Sequence, residues 1–574
     1  MATWHPFLTT PTTQAPRSRL IFWFTLSLTF TTLYAFVVLE QAFDGEYVAQ
    51  DDTRQHVFWM YRLLDPDLFP NDLIADYFQS VAPWGFTSLY RGFAVLGINP
   101  LLVSKLLPVA LSLITAIYGF WICLELLPIP LAGFIASVLI DHLLWVYDDV
   151  ASATPRAFVL PLFLAFLYHL MRRSWLPYLA TIALQGLFYP QYVFVLGGIM
   201  LLQPWRWQQG RLKLSKEKQD YWFCFAGLGV AMLVLTIYAL AITKVGAAIT
   251  LAEAKQLPDF YAGGRIGFFE KNPWKFWFTA SLSGVFADFK AQFLSVGIVL
   301  PLLLSLPNRF PLVRQITVNI RVLIQVTCVA LFLFLAAHAL LFKLYLPSRY
   351  TVYSLRFVLV FATAITLTLL LDAGLRWLHR SPQPRLYHRS IVWGIAILLA
   401  AAILLYPYYT KRGLAVANYV EGEVPKLYEF FAQQPNDSLI ASLVTEADNL
   451  PIFSQRSVLV SRETAIPFHV NYANQFRQRA IDLIRAHYSL DANELIQFIR
   501  TYGIDFWLLD QDSFQRKFLR RSWIKQYPVA MTEALDHLKQ GTPILKQLMT
   551  RCVVFQEEEL TVLSTECIVR SIKD

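Results

Sequence analysis

Two adjacent carboxylates followed four residues later by an imidazole, in Gln50-Asp51-Asp52-Thr53-Arg54-Gln55-His56, are the residues best equipped for chemistry in this sequence. Carboxylates that close repel, so one pKa rises and supplies a base, or a divalent cation bridges the pair. On a helix, Asp52 and His56 share a face. The pair belongs to the densest carboxylate cluster of the chain (Asp44, Glu46, Asp51, Asp52, Asp65, Asp67, Asp72, Asp76), so a solvated acidic loop is the plain alternative. Asp65-Pro66-Asp67 competes as a pair, but its central proline suits a turn or a helix start.

A second group follows in Asp141 to Arg156. On a helix, Asp141, Trp145 and Asp148 form one stripe, with Asp141 about two turns below its end. An ionisable residue at that depth in a membrane has to face the bundle interior or a wet cavity. His142 points about 100° away and serves equally well as a packing residue. Asp148, Asp149 and Arg156 would lie at the mouth of the same cavity. A third group is cationic: Lys343, Arg349 and Arg356 bracket the short connection Leu346-Pro347-Ser348-Arg349-Tyr350. The arginine fork suits a phosphate, whereas the alternative is snorkelling to ordinary headgroups. Gly263, Gly264, Arg265 and Gly267 precede the aromatic stretch Trp274 to Phe278. Glycine freedom beside interfacial tryptophan reads as a mobile lid or as a structured connector lying on the membrane.

The elements that must position these groups follow from hydropathy. A chain of 574 residues with 56% hydrophobic and 16% charged residues is too apolar for a soluble enzyme. Its apolar runs predict about eleven membrane spans: 20–39, 101–124, 130–147, 157–171, 175–189, 191–204, 221–243, 291–306, 321–345, 352–375 and 391–408. The net charge of +9 comes mostly from short loops between spans, so no nucleic-acid partner is expected. Connections on the N-terminal side carry about sixteen Lys/Arg in roughly eighty residues, against about eleven in over 120 on the other side. That asymmetry predicts a cytoplasmic N-terminus (1–19), a membrane domain (20–408) and an extracytoplasmic domain (409–574). It places the acidic first loop (40–100), Asp148 to Arg156, loop 244–290 and everything after Tyr409 on one outer face. An uncleaved first span is expected, because the run is longer than a signal-peptide core and no small-residue cleavage site follows it.

After Pro407 the composition becomes that of a soluble domain. Ser438–Leu443, Ser457–Val460 and Ile504–Leu509 read as strands, and Asp491 to Tyr502 as a helix with a capping box to Glu494 and Gly503 as C-cap. Val553 to Leu563 reads as a terminal hairpin. Cys123, Cys224 and Cys328 sit in apolar runs as small buried hydrophobes, whereas Cys552 and Cys567 can pair in an oxidising compartment. No Gly-rich phosphate loop and no internal repeat are visible.

A first span, a large outer loop with early acidic residues, a second acidic motif after the third span and a C-terminal outer domain together resemble the GT-C superfamily of integral-membrane glycosyltransferases. Protein O-mannosyltransferases, oligosaccharyltransferases and aminoarabinose transferases belong to it. The resemblance covers roughly residues 15–410. It implies an all-α polytopic bundle carrying an α/β domain, and a sugar moved from a polyprenyl-phosphate donor to a glycan, lipid or protein acceptor. Asp51 or Asp52 would then be the catalytic base, Asp148 and Asp149 would help hold metal or acceptor, with Asp141 and His56 near them, and Arg349, then Arg356 and Lys343, would take the lipid phosphate. A divalent metal such as Mg or Mn is compatible but not required. The first loop has Asp-Asp where many members have Asp-Glu, and the Trp-Trp-Asp acceptor motif is absent, which argues against transfer to an asparagine sequon. The competing expectations are a transporter or flippase of lipid-linked saccharides, and a catalytically silent relative that binds a partner.

Overall fold

The computed structural model describes residues 4–146, 150–208, 210–242, 246–287, 292–380, 386–405 and 417–573. Five helices in it are long and apolar enough to cross a membrane: Arg17–Ala42, Pro100–Leu126, Lys218–Leu240, Val318–Ala339 and Ser348–Leu378. This is a membrane protein. Shorter apolar helices include Pro130–Trp145, Trp175–Phe188, Pro190–Leu202, Leu294–Leu304 and Ser390–Leu404. The expected count of about eleven spans is therefore not established, because a helix of about fourteen residues rises only about 21 Å against about 30 Å of hydrocarbon.

Local chemistry sets the ends of these helices. Asn99 accepts from the Leu101 N–H and Pro100 occupies the first helical position, so Pro100–Leu126 begins with one orphan donor satisfied and another absent. Small residues let the helices touch: a Cβ on Gly119 would stand 2.1 Å from Ile140 Cδ1, so glycine leaves room for the tip of that side chain where Pro100–Leu126 crosses Pro130–Val146. The buried Asp141 faces the bundle interior and accepts a 2.9 Å hydrogen bond from Thr31 on the first helix. Trp145 is buried near it, and His142 packs edge-on against Tyr34 at 5.8 Å. Asp148 and Asp149 lie outside the described residues.

The C-terminal part is α/β. Strands β5 (Leu439–Ser442), β6 (Ser457–Val458), β7 (Phe506–Asp510), β8 (Val553–Glu557) and β9 (Leu560–Ser564) form one sheet in the order β6-β5-β7-β9-β8. The first three run parallel, and β9 and β8 are antiparallel. Helix Ala492–Tyr502 ends at Gly503 in the left-handed region, as the sequence predicts. Its capping box does not close: Asp491 caps Asn493 N–H, but Glu494 turns away to accept from the Ser489 hydroxyl. Cys552 and Cys567 are disulfide-bonded, tying the last helix to the β8 edge. Cys328, expected to be buried, is exposed, whereas Cys123 and Cys224 are buried.

Two strands outside this sheet matter more for the site. Strand β1 (Val48–Gln50), which leads directly into Asp51, pairs antiparallel with β4 (Tyr419–Glu421), with Ala49 opposite Val420. The remaining pair, β2 (Trp205–Gln208) and β3 (Arg211–Leu214), is a hairpin at the far end of the bundle.

Candidate active site

Residues Asp51–His56 form a short helix, and the Gln50 side chain caps it by accepting from Asp52 N–H at 2.8 Å. The buried Thr53 hydroxyl donates to the Ser152 carbonyl at 2.9 Å, which seats the helix on the loop that follows Asp149. Gln55 donates to the Glu463 carbonyl of the C-terminal domain at 2.6 Å. The helix is thus gripped on two sides, with both carboxylates partly exposed.

Each carboxylate has its own arginine. Asp51, 44% exposed, pairs with Arg54, whose guanidinium is buried and also donates to Asn449 at 2.8 Å. Asp52, 26% exposed, pairs with Arg156 at 2.8 Å. Burial pushes the Asp52 carboxyl up, but the charges of Arg156, His56, Arg349 and Arg265 outweigh burial and hold it below the usual carboxylate range. Burial lowers the His56 imidazole to about 4, against the pull of Asp52 and with the repulsion of Arg156 and Arg265, so it is neutral at pH 7. Its ring packs edge-on against Phe78 at 5.6 Å.

The C-terminal domain closes the cluster. Arg265, from the glycine-containing loop, pairs with Glu463, and Arg54 lies 3.9 Å from the other Glu463 oxygen. Burial raises the Glu463 carboxyl to about 7; Arg265 pulls it down, Asp51 and Asp448 push it up, and Arg54 pulls it down again. Asp448 accepts the Glu463 backbone N–H at 2.9 Å. These residues follow the carboxyl ends of parallel strands β5 and β6, which is where open α/β sheets place their ligands. Sequence reading missed Glu463, Asp448 and Asn449. The signal was present, as polar residues just beyond two predicted strands.

The glycines shape a turn. Gly263 and Gly267 have φ of 93° and 53°, and a Cβ on Gly264 would meet the Pro258 carbonyl at 2.4 Å. The resulting turn presents Arg265 to Glu463. The same loop is stitched to the C-terminal domain by Ile249 N–H on Phe468 O at 2.9 Å, Val470 N–H on Ala247 O at 3.1 Å, and an Asp259–Arg477 ion pair.

Of the cationic group, Arg349 is the one whose charge acts on Asp52. Arg349 lines a corner with Tyr189, Gln191, Tyr192, Tyr345 and Tyr350, and its Nη1 lies 3.5 Å from the Tyr353 hydroxyl. Its buried Nε has no hydrogen-bond partner among the described residues. Arg356 is buried and donates to the Ala287 carbonyl at 3.0 Å, and Lys343 is exposed. No three His, Cys, Asp or Glu side chains converge to hold a cation among the described residues. Arg54 and Arg156 each neutralise one carboxylate, and Asp148 and Asp149, the other expected metal donors, lie outside the described residues.

No protein-family model matches this chain, and no curated protein matches it. Among solved structures it is similar to the Archaeoglobus fulgidus oligosaccharyltransferase tethered with an acceptor peptide containing the NVT sequon. The identity is 11%, covering 90% of this chain and 72% of that one, with a TM-score of 0.48. The same archaeal enzyme, AglB, in complex with an inhibitory peptide and a dolichol-phosphate gives 10% identity over 86% and 70% of the two chains, TM-score 0.46. The mycobacterial arabinofuranosyltransferase AftD gives 13% identity over 84% of this chain and 35% of that one, TM-score 0.45. At TM-scores below 0.5, the chemistry of this chain has to be read from its own side chains.

Proposed function

We propose that this chain is a membrane glycosyltransferase that moves a sugar from a polyprenyl-phosphate donor to an acceptor at the end of the bundle where Asp51, Asp52 and Arg349 lie. Asp51 or Asp52 takes the proton of the acceptor hydroxyl, a step worth about 10²–10⁴ in rate. Arg349 stabilises the phosphate that leaves with the lipid, as a preorganised cation facing developing negative charge. The observation that supports this reading is a buried guanidinium with spare donor capacity: Arg349 Nε has no hydrogen-bond partner among the described residues, in a corner lined by Tyr189, Tyr192 and Tyr350, and its charge acts on Asp52. In this reading the bundle spans the membrane about eleven times, the N-terminus is cytoplasmic and the C-terminal domain extracytoplasmic. The Cys552–Cys567 disulfide supports an oxidising location. The Arg265 turn acts as a latch over the site.

The test replaces Asp51 and Asp52 singly by Asn, and Arg349 by Ala, and follows sugar incorporation from a radiolabelled polyprenyl-phosphate donor in membranes. Loss in at least one carboxylate variant and in the arginine variant is expected. Full activity in both carboxylate variants removes them from the mechanism. One observation favours a second reading, a non-catalytic relative that binds a partner: both carboxylates are already neutralised by arginine. Absence of incorporation by the unaltered protein, with donor binding retained, would select it.

A further inference from the structure

At the other end of the bundle lies a cavity of about 850 Å³. Helix Val193–Leu202 begins beside the Arg349 corner, where Tyr192 lines the wall, and ends in the cavity at Leu202. Helix Arg321–Ala339 begins in the cavity wall and rises about 28 Å, at 1.5 Å per residue, toward the connection that leads into helix Ser348–Arg380, whose first turn carries Arg349. The cavity is therefore distinct from the site described above. It lies among the loops Arg172-Arg173 and Arg206 to Lys218, whose basic charge marks a cytoplasmic face.

The lining divides sharply. In its polar wall Arg173 pairs with Glu217 at 3.0 Å and Asp220 at 2.8 Å, while Arg206 takes the second Asp220 oxygen. Two cations and two anions thus compensate each other. Arg321 is the third cation, and it has no carboxylate partner among the described residues. Among the described residues its guanidinium donates to the Gln203 amide oxygen alone, at 3.2 Å. That amide is itself fixed, donating to Gln325 at 3.0 Å, while Gln325 donates to the Leu202 carbonyl at 3.0 Å. The cavity wall therefore holds one positive charge in excess on a rigid mount. From it an apolar stripe runs up the outer face of the same helix: Ile324, Cys328, Leu331 and Leu335, at helical spacing and all exposed.

We propose that this cavity binds the headgroup of an anionic phospholipid, with its phosphate on Arg321 and an acyl chain along the Ile324–Leu335 stripe. Excess positive charge fits an anionic headgroup, and the adjoining apolar track fits a diacyl lipid better than a water-soluble phosphate. This rests on the chain being a membrane protein and not on sugar transfer.

Cys328 supplies the readout. It is exposed and lines the cavity, whereas Cys123 and Cys224 are buried and Cys552 and Cys567 are bonded to each other. The rate at which N-ethylmaleimide labels the full-length protein in neutral detergent is measured with dioleoylphosphatidylglycerol, dioleoylphosphatidylcholine or inorganic phosphate added. Phosphatidylglycerol should slow labelling about fivefold more than phosphatidylcholine, the ratio expected for one basic residue facing an anionic lipid. Inorganic phosphate should have no effect. Arg321→Gln should remove the difference between the lipids. Ile324→Glu, at an exposed position that leaves every Arg321 contact in place, should weaken it as well. Equal protection by the two lipids, protection by inorganic phosphate alone, or a preference for phosphatidylglycerol that survives both substitutions would overturn the proposal.

Discussion

The two ends of this bundle handle charge in opposite ways. At the first-loop end, Asp51 meets Arg54, Asp52 meets Arg156 and Glu463 meets Arg265, and the partners come from four separate stretches of chain. At the far end, an open cavity leaves Arg321 without a carboxylate among the described residues. A crowded, compensated cluster fixes the position of each group before substrate arrives, which is what charge development in a transition state demands. An open cavity with one excess charge discriminates little beyond sign. The first arrangement suits chemistry and the second suits retention of a lipid.

The largest effect that would sharpen this contrast is expected at the carboxylates. If Asp52 is the base, Asp52→Asn should lower transfer by about 10²–10⁴, whereas Arg321→Gln should leave it within about twofold, since Arg321 takes no part in the proton step. Incorporation assays on the two variants side by side check this. A comparable loss in both would erase the distinction between the ends.

Next comes the latch. Removing Arg265 leaves Glu463 buried beside Asp51 and Asp448 with Arg54, 3.9 Å away, as its remaining cation, so the cost should fall below the about 3–5 kcal/mol of breaking a fully buried pair from one side. Arg265→Gln should therefore destabilise the protein more than Glu463→Gln, and the double variant should recover part of the loss. A thermal-unfolding double-mutant cycle should give a coupling of about 1–3 kcal/mol. Simple additivity would mean that the contact does not join the loop to the domain.

Much of the fold was legible because its signals are local. Apolar runs gave the helices, short apolar runs in an otherwise polar domain gave β5 and β7, and Asp491 and Gly503 bounded their helix. The capping box failed because Ser489 offers Glu494 a nearer donor, a choice made by loop conformation rather than by sequence pattern. Within the site, Asp51, Asp52, His56, Arg156 and Arg349 were legible as charges in predicted outer connections. Glu463 was not, because only the pairing of β1 with β4 and the packing of the domain bring it beside Arg54. Gly264 was legible as a glycine but not in its role: close approach to the Pro258 carbonyl makes it a shaping residue in a turn.

Smaller effects separate the domain from the site. The Cys552–Cys567 disulfide closes a loop with a sequence separation of 15, so replacing Cys552 by Ala should cost about 3 kcal/mol in the C-terminal domain. Denaturant unfolding checks this, and donor binding should persist. His56 contributes the mildest term. Its pKa falls from an ordinary 6.5 to about 4 on folding, so its stabilising contribution is complete above pH 6.5 and is lost as pH falls toward 4. His56→Gln should flatten the acid limb of a thermal-stability profile over that window. An unchanged limb would place the imidazole in water instead.

The most direct measurement is a density map of the protein with a polyprenyl-phosphate donor analogue bound. The phosphate is expected beside Arg349, with the sugar carbon within reach of Asp51 or Asp52. A phosphate held at Arg321, or anywhere remote from the first-loop carboxylates, would contradict the assignment of chemistry to that end of the bundle.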